Sequence, residues 1–229
     1  MDAPDWSPVG SGHWRSPPRP ALDPILVAAL DLFSAGGYHA TSVRDIARDV
    51  GCTVPALYYH HANKEAMLFA LLERGIDHLI GACTEALDDA GGEPVQRFRN
   101  LVEAMVRHMA ANTKLAALDA EIRSLSPDHF AVYRRKRRHI EQLLASTIRE
   151  GLDSGRFHVT SPEDTARALL GMIQAIAVWY RPHGRLSVRA IATRYLDIAM
   201  NTVGAATDAA LIAVAVPTRE VGDTRVPDS

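Results

Sequence analysis

The side chains of this sequence best equipped for chemistry fall into two groups, and neither is a catalytic set. The first lies between positions 41 and 64: Thr41, Ser42 and Arg44, then Thr53, then Tyr58, Tyr59, His60 and Lys64. Hydroxyls, phenols, a guanidinium and an ammonium are the donors that hold phosphate oxygens, and a guanidinium also makes paired bonds to a guanine edge. The second is the run Arg134-Arg135-Lys136-Arg137-Arg138, five consecutive cations. It lies on a segment whose Phe130, Tyr133, Ile140, Leu144 and Ile148 recur at helical spacing, and Arg137 falls inside that stripe. An arginine placed there needs an anion, either an internal carboxylate (Asp119, Glu121 or Glu141) or a ligand. Such a run usually forms a solvated face; binding an anionic effector is the sharper alternative.

Nothing else in the chain points to catalysis. No Ser/His/Asp or Cys/His arrangement, acid pair or phosphate loop is present, and Cys52 and Cys83 stand in no zinc or disulfide spacing. His60 and His61 are adjacent, so on a helix they point apart and make a poor metal pair. We therefore expect no catalytic residue, no metal and no cofactor, with a helical-bundle enzyme kept as a rival because bundles assemble sites from distant residues. The formal net charge is −2, and residues 1–65 hold five Lys/Arg against seven Asp/Glu, so any DNA contact must rest on local placement of charge. No run approaches the roughly 18 apolar residues of a membrane span, and residues 1–20 do not read as a signal peptide. With two unpaired cysteines, the expectation is a soluble cytoplasmic protein.

The elements that must position these residues read as all-α. Residues 1–21 hold five prolines mixed with Ser and Gly and read as a disordered arm; Trp6, Trp14, Arg15 and Arg19 offer it a way to touch DNA, though a functionally quiet leader is the plainer reading. From Pro24 an apolar stripe of Ile25, Ala28, Ala29, Leu32 and Phe33 runs to Gly36-Gly37. Thr41 stands as the cap of a short helix ending at Gly51, Thr53 caps a third, and Asn63 caps a fourth running to about Asp89. A helix of that length spans about 39 Å, enough to leave a small head and enter a second domain. Further helices follow Gly91-Gly92 and surround Leu115 to Leu125. One then runs from Pro127 to about Gly151, one from about Glu163 to Tyr180, and one from Ser187 to about Val203. The expected division is an arm at 1–21, a helix-turn-helix domain at 22–66, a helical effector and dimerisation domain at 67–204, and a flexible tail at 205–229, whose Leu211–Val216 is the one strand-like stretch.

The run Thr41-Ser-Val-Arg-Asp-Ile-Ala, then Val50 to His60, then Asn63-Lys-Glu-Ala-Met-Leu68, closely resembles the DNA-binding domain of the TetR family of regulators. The resemblance is gapless from about Ile25 to Leu72. It implies that the third helix enters the major groove with Thr53, Val54, Pro55 and Ala56 toward the bases. Arg44 would read guanine or clamp phosphate, and Thr41, Ser42, Tyr58, Tyr59, His60 and Lys64 would hold the backbone. His61 departs from the family pattern, which places an aromatic or aliphatic residue there, and this puts the local packing in question.

In the second half, Phe98, Met105, Met109, Ile122, Tyr133, Arg134, Arg137, Met172 and Trp179 are the candidate effector contacts, although Met and aromatic stripes are more often plain core. Leu125-Ser-Pro, Glu150-Gly, Gly155-Arg-Phe157 and Trp179-Tyr-Arg-Pro182 with Gly184 look like the sensor of repressors that control fatty-acid or steroid catabolism and answer to acyl-CoA thioesters. Small residues from Ala166 to Ala177 and in the last helix permit close helix approach, consistent with the family's twofold four-helix bundle. The resemblance thus implies a homodimeric repressor on a palindromic double-stranded operator, released by a small molecule. A sequence-independent architectural DNA binder is the other rival, and footprinting separates the two.

Overall fold

The computed structural model describes residues 13–16, 20–182 and 184–205, and among these every regular element is helical. The head begins with α1 (Pro24–Gly36), where the Asp23 carboxylate accepts the Leu26 N–H and Pro24 occupies the first turn. It ends on Gly37 at φ 84°. In α2 (Val43–Val50) the cap is Ser42, not Thr41. The Ser42 hydroxyl accepts from the Asp45 N–H while the Asp45 carboxylate accepts from the Ser42 N–H, a reciprocal capping box. Gly51, left-handed at φ 75°, turns the chain into α3 (Val54–His60), capped by Thr53 with Pro55 in its first turn. Asn63 then caps α4 (Lys64–Asp89), the 26-residue helix that joins head to body.

The body is built around α5 (Pro94–Ala111), buried on nearly every side by α4, α7 and α10. After it come α6 (Thr113–Ala117), a 3-10 segment (Leu118–Ser124), α7 (Pro127–Asp153), α8 (Pro162–Gln174), α9 (Ile176–Trp179) and α10 (Val188–Thr202). The single helix expected from Glu163 to Tyr180 is interrupted at Ala175. That residue keeps right-handed angles (φ −58°, ψ −20°), so the break is a local tightening without a breaker that periodicity could reveal. At the end of α7, Gly151 is set by a close approach: a Cβ there would lie 2.0 Å from the fully buried Phe157 ring.

Two cores result. The body's core includes Phe98, Leu101, Val102, Met105, Leu144, Ile148, Phe157 and Leu196. The head's core joins Leu26, Ala29, Phe33, Ile46, Leu57, Leu68 and Leu71 to Leu115, Leu118, Leu125 and Tyr133 of the body. Burying each large apolar side chain contributes roughly 1.5–3 kcal/mol. The head therefore draws part of its stability from the body.

Part of the expected arm is packed. His13–Arg15 forms a 3-10 turn, and Trp14, only 1% exposed, sits among Ala82, Ala86 and Ala104 of α4 and α5. Its indole N–H donates to Asp89 at 3.2 Å, and the Arg15 guanidinium pairs with Asp89 and Glu103. Composition marked this stretch as poor in packable side chains, but one tryptophan over a wall of alanines with an acceptor in reach is enough. Trp6, Arg19, the 206–229 part of the expected tail and its Leu211–Val216 stretch lie outside the described residues. Among the described residues no helix is long and apolar enough to cross a membrane.

Candidate DNA-contacting surface and effector cavity

The helix-turn-helix presents part of its expected contact set and withholds part. Ser42, Arg44, Thr53, Pro55, Ala56, Tyr58, Tyr59 and His60 are exposed, with Tyr59 88% so. Leu57 anchors α3 at 0% exposure, and Val54 leans on the same core, so the exposed edge at the start of α3 is Thr53, Pro55 and Ala56. Arg44 makes no ion pair among the described residues: Asp45 is taken by Arg48 and Ser42, which also hold its carboxyl below the usual range, Ser42 being the larger influence. Its guanidinium remains available.

Thr41 and Lys64 turn inward instead. Thr41 is 7% exposed, its hydroxyl donating to Gly37 and Leu32 carbonyls. Lys64 Nζ lies 2.9 Å from the Tyr38 and Thr41 carbonyls, 3.4 Å from that of His39, and 4.4 Å above the Tyr38 ring. These bonds pin the α1–α2 turn to the start of α4. His61 is largely buried, and its Nε2 faces the Asp23 carboxylate at 3.4 Å without hydrogen-bond geometry, so the exceptional residue is accommodated beside an acid.

In the body, α4, α5, α6, the 3-10 segment, α7 and α8 surround a cavity of about 410 Å³. Of the candidate effector contacts, Met105, Met109, Ile122, Tyr133, Arg134 and Arg137 line it; Phe98, Met172 and Trp179 do not. Phe98 is sealed in the body's core edge-on to Phe157, Met172 packs on that core from outside, and Trp179 is 44% exposed beside Tyr195. Sequence periodicity places a residue on a face but does not say which core that face meets.

The polar wall of the cavity is organised on Asp119. Its carboxylate accepts from Tyr133 Oη at 2.9 Å, Arg137 at 2.8 Å and Gln174 at 3.0 Å, joining the 3-10 segment, α7 and α8. Burial, then the Asp119 charge, raises the Tyr133 phenol above its ordinary range, so it stays a neutral donor. Arg137 is thus half-exposed and internally paired, while Lys136 is tied to Glu73 and Asp77 of α4. Arg134 and Arg138 sit exposed on the cavity rim and make no ion pair among the described residues. Sequence reading missed Asp119's role as hub, Gln174, and His108, which is buried in the wall with Nδ1 3.1 Å from His78 Nδ1. The signal for His108 was a polar residue inside the apolar Met105–Met109 stripe.

The cavity is wired to the head by short contacts. The 3-10 segment turns Asp119 and Ile122 toward the cavity and Glu121 and Ser124 toward His39, each 3.4 Å from its Nε2. Glu65, at the start of α4, accepts the Ser126 N–H at 2.8 Å and contacts His129 Nδ1 at 2.9 Å; the His129 ring stacks on Phe69 at 3.9 Å. Lys114 of α6 reaches Asp31 of α1 at 2.7 Å.

Comparison with known proteins agrees with this arrangement. Residues 25–71 match the family described as bacterial regulatory proteins, tetR family, and residues 91–203 match the tetracyclin repressor-like C-terminal domain. The HTH-type transcriptional repressor KstR2 of Mycobacterium tuberculosis (strain ATCC 25618 / H37Rv) is 26% identical over 183 residues, covering 78% of this chain and 90% of that protein. A crystal structure of a bacterial regulatory protein in the tetR family from Rhodococcus RHA1 is 33% identical with a TM-score of 0.76, over 80% of this chain and 97% of that one. AibR, solved with isovaleryl coenzyme A and operator DNA, is 26% identical with a TM-score of 0.69, over 76% and 95% of the two chains. With a helix-turn-helix head, a helical sensor-like body and these relatives, the chain belongs to the TetR family of transcriptional regulators.

Proposed function

We propose that this regulator is a homodimeric repressor that holds a palindromic operator and releases it when an acyl-CoA thioester enters the cavity. The observation that carries the reading is the two-faced 3-10 segment: Asp119 and Ile122 belong to the cavity wall, while Glu121 and Ser124 hold His39 of the head. A ligand that displaces this wall moves the turn to which Lys64 is bonded, and only a difference in its affinity for the two arrangements drives the shift. The thioester class is supported by the cavity's size and apolar lining, which suit an acyl group. The exposed Arg134 and Arg138 on its rim suit the phosphates of a carrier remaining outside. The AibR likeness adds weight, that protein having been solved with isovaleryl coenzyme A and operator DNA. For DNA, Arg44, Thr53, Pro55, Ala56, Tyr58, Tyr59 and His60 are the proposed contacts, with Arg44 the principal one. A twofold dimer through α8 and α10 would set two α3 helices about 34 Å apart, one turn of duplex.

Footprinting on the DNA upstream of its own coding sequence, with and without a panel of acyl-CoA esters, tests this. A discrete palindrome released by one ester class is the expected result. Diffuse protection would favour an architectural protein, and absence of protection would remove the repressor. Arg137→Ala is expected to weaken release while leaving DNA binding intact, because it removes the charged link between α7 and Asp119 and leaves only the Tyr133 hydroxyl.

A further inference from the structure

Apart from Arg134, Arg138 and Glu141, which are not buried, the cavity lining contains one polar side chain that the network on Asp119 does not absorb. His108 of α5 is 4% exposed and lies in the wall among Met105, Met109 and Ile140. Its Nδ1 meets His78 Nδ1 of α4 at 3.1 Å, a separation that requires a single proton between the two nitrogens. The other ring nitrogen, Nε2, has no hydrogen bond among the described residues. Among those residues the only side-chain nitrogen or oxygen that is both fully enclosed and without a partner is His61 Nε2, so His108 Nε2 keeps access to the cavity. Burial, and secondarily His78, pushes the His108 pKa down to about 3, so the ring is neutral at ordinary pH.

We propose that His108 is a specificity-determining residue that offers Nε2 to an oxygen on the remote part of the acyl group, which makes the effector an oxoacyl or hydroxyacyl thioester rather than a plain alkanoyl one. This rests on the acyl-thioester reading above and narrows it. The chemistry follows from the shared proton. When that proton belongs to His78, neutral His108 carries its own on Nε2 and donates to a carbonyl. When it belongs to His108 Nδ1, Nε2 is an acceptor and takes a hydroxyl proton. The exposed arginines fix the charged carrier at the rim, so the enclosed imidazole meets the other end of the ligand. A plain alkyl chain would cover Nε2 and leave a polar atom dry. That is the arrangement by which a site rejects the analogue lacking an oxygen.

The test is calorimetric titration of the intact protein with hexanoyl-CoA and with its oxo and hydroxy counterparts oxidised at the penultimate carbon, using wild type, His108→Leu and His108→Gln. The expected result is that wild type prefers an oxygenated ester by about tenfold or more. His108→Leu should abolish the preference by gaining hexanoyl-CoA affinity, and His108→Gln, which keeps a donor and an acceptor, should restore part of it. Equal binding of all three esters by wild type, or an unchanged preference in a folded His108→Leu, overturns this assignment and leaves the thioester reading standing. Binding of none of the esters overturns both.

Discussion

Arg44 is the exposed cation of the head left without a carboxylate, because Ser42 and Arg48 occupy Asp45. Arg44→Ala is therefore expected to cut operator affinity by about 10- to 100-fold, the range of one paired guanidinium contact, read by fluorescence anisotropy at fixed salt. Arg44→Lys should recover affinity if the contact is to phosphate and fail to recover it if it is to guanine. That Arg44 is a candidate DNA contact was legible in the sequence through the motif. That Thr41 and Lys64 face inward was not, since their partners are carbonyls of a turn whose path only the folded backbone defines. Thiol chemistry also separates by position. Cys83 is fully buried and its pKa is pushed up to about 12 by burial, whereas Cys52 is half-buried. A disulfide-exchange reagent at neutral pH should label one thiol in the native protein and both after unfolding.

At the scale of elements, helix starts were the most readable feature, because Asp23, Thr53, Asn63 and Ser187 each accept the N–H three residues on. Ser42 was misread in favour of Thr41, two hydroxyls side by side being indistinguishable until the capping box with Asp45 is seen. The junction of α7 with the chain that follows gives a sharper expectation. Gly151→Ala would gain about 1 kcal/mol of helix propensity but drive a methyl into the enclosed Phe157 ring. Overpacking wins, and a net loss on the order of 1–2 kcal/mol should appear as a lowered urea midpoint. The docked Trp14 turn straps the end of α4 to α5, and Trp14→Ala should destabilise the body by about 3 kcal/mol.

For the whole molecule, the buried His108 sets a pH response. In the unfolded chain His108 takes a proton below about 6.5; in the folded protein it resists until about 3. Stability is thus present above the unfolded value and is lost as pH falls through that window, by up to about 1.4 kcal/mol per unit from this group. Comparing urea midpoints of wild type and His108→Leu at about pH 7 and about pH 5 should show a smaller acid loss in the variant. The two-domain division was readable from motif and helix length, yet its energetic meaning was not, because the head's core borrows Leu115, Leu118, Leu125 and Tyr133. This borrowing bears on modular engineering. A chimera that grafts residues 22–76 onto a foreign sensor would carry an uncapped apolar underside, and it would work only if the recipient brought equivalents of those four side chains with it.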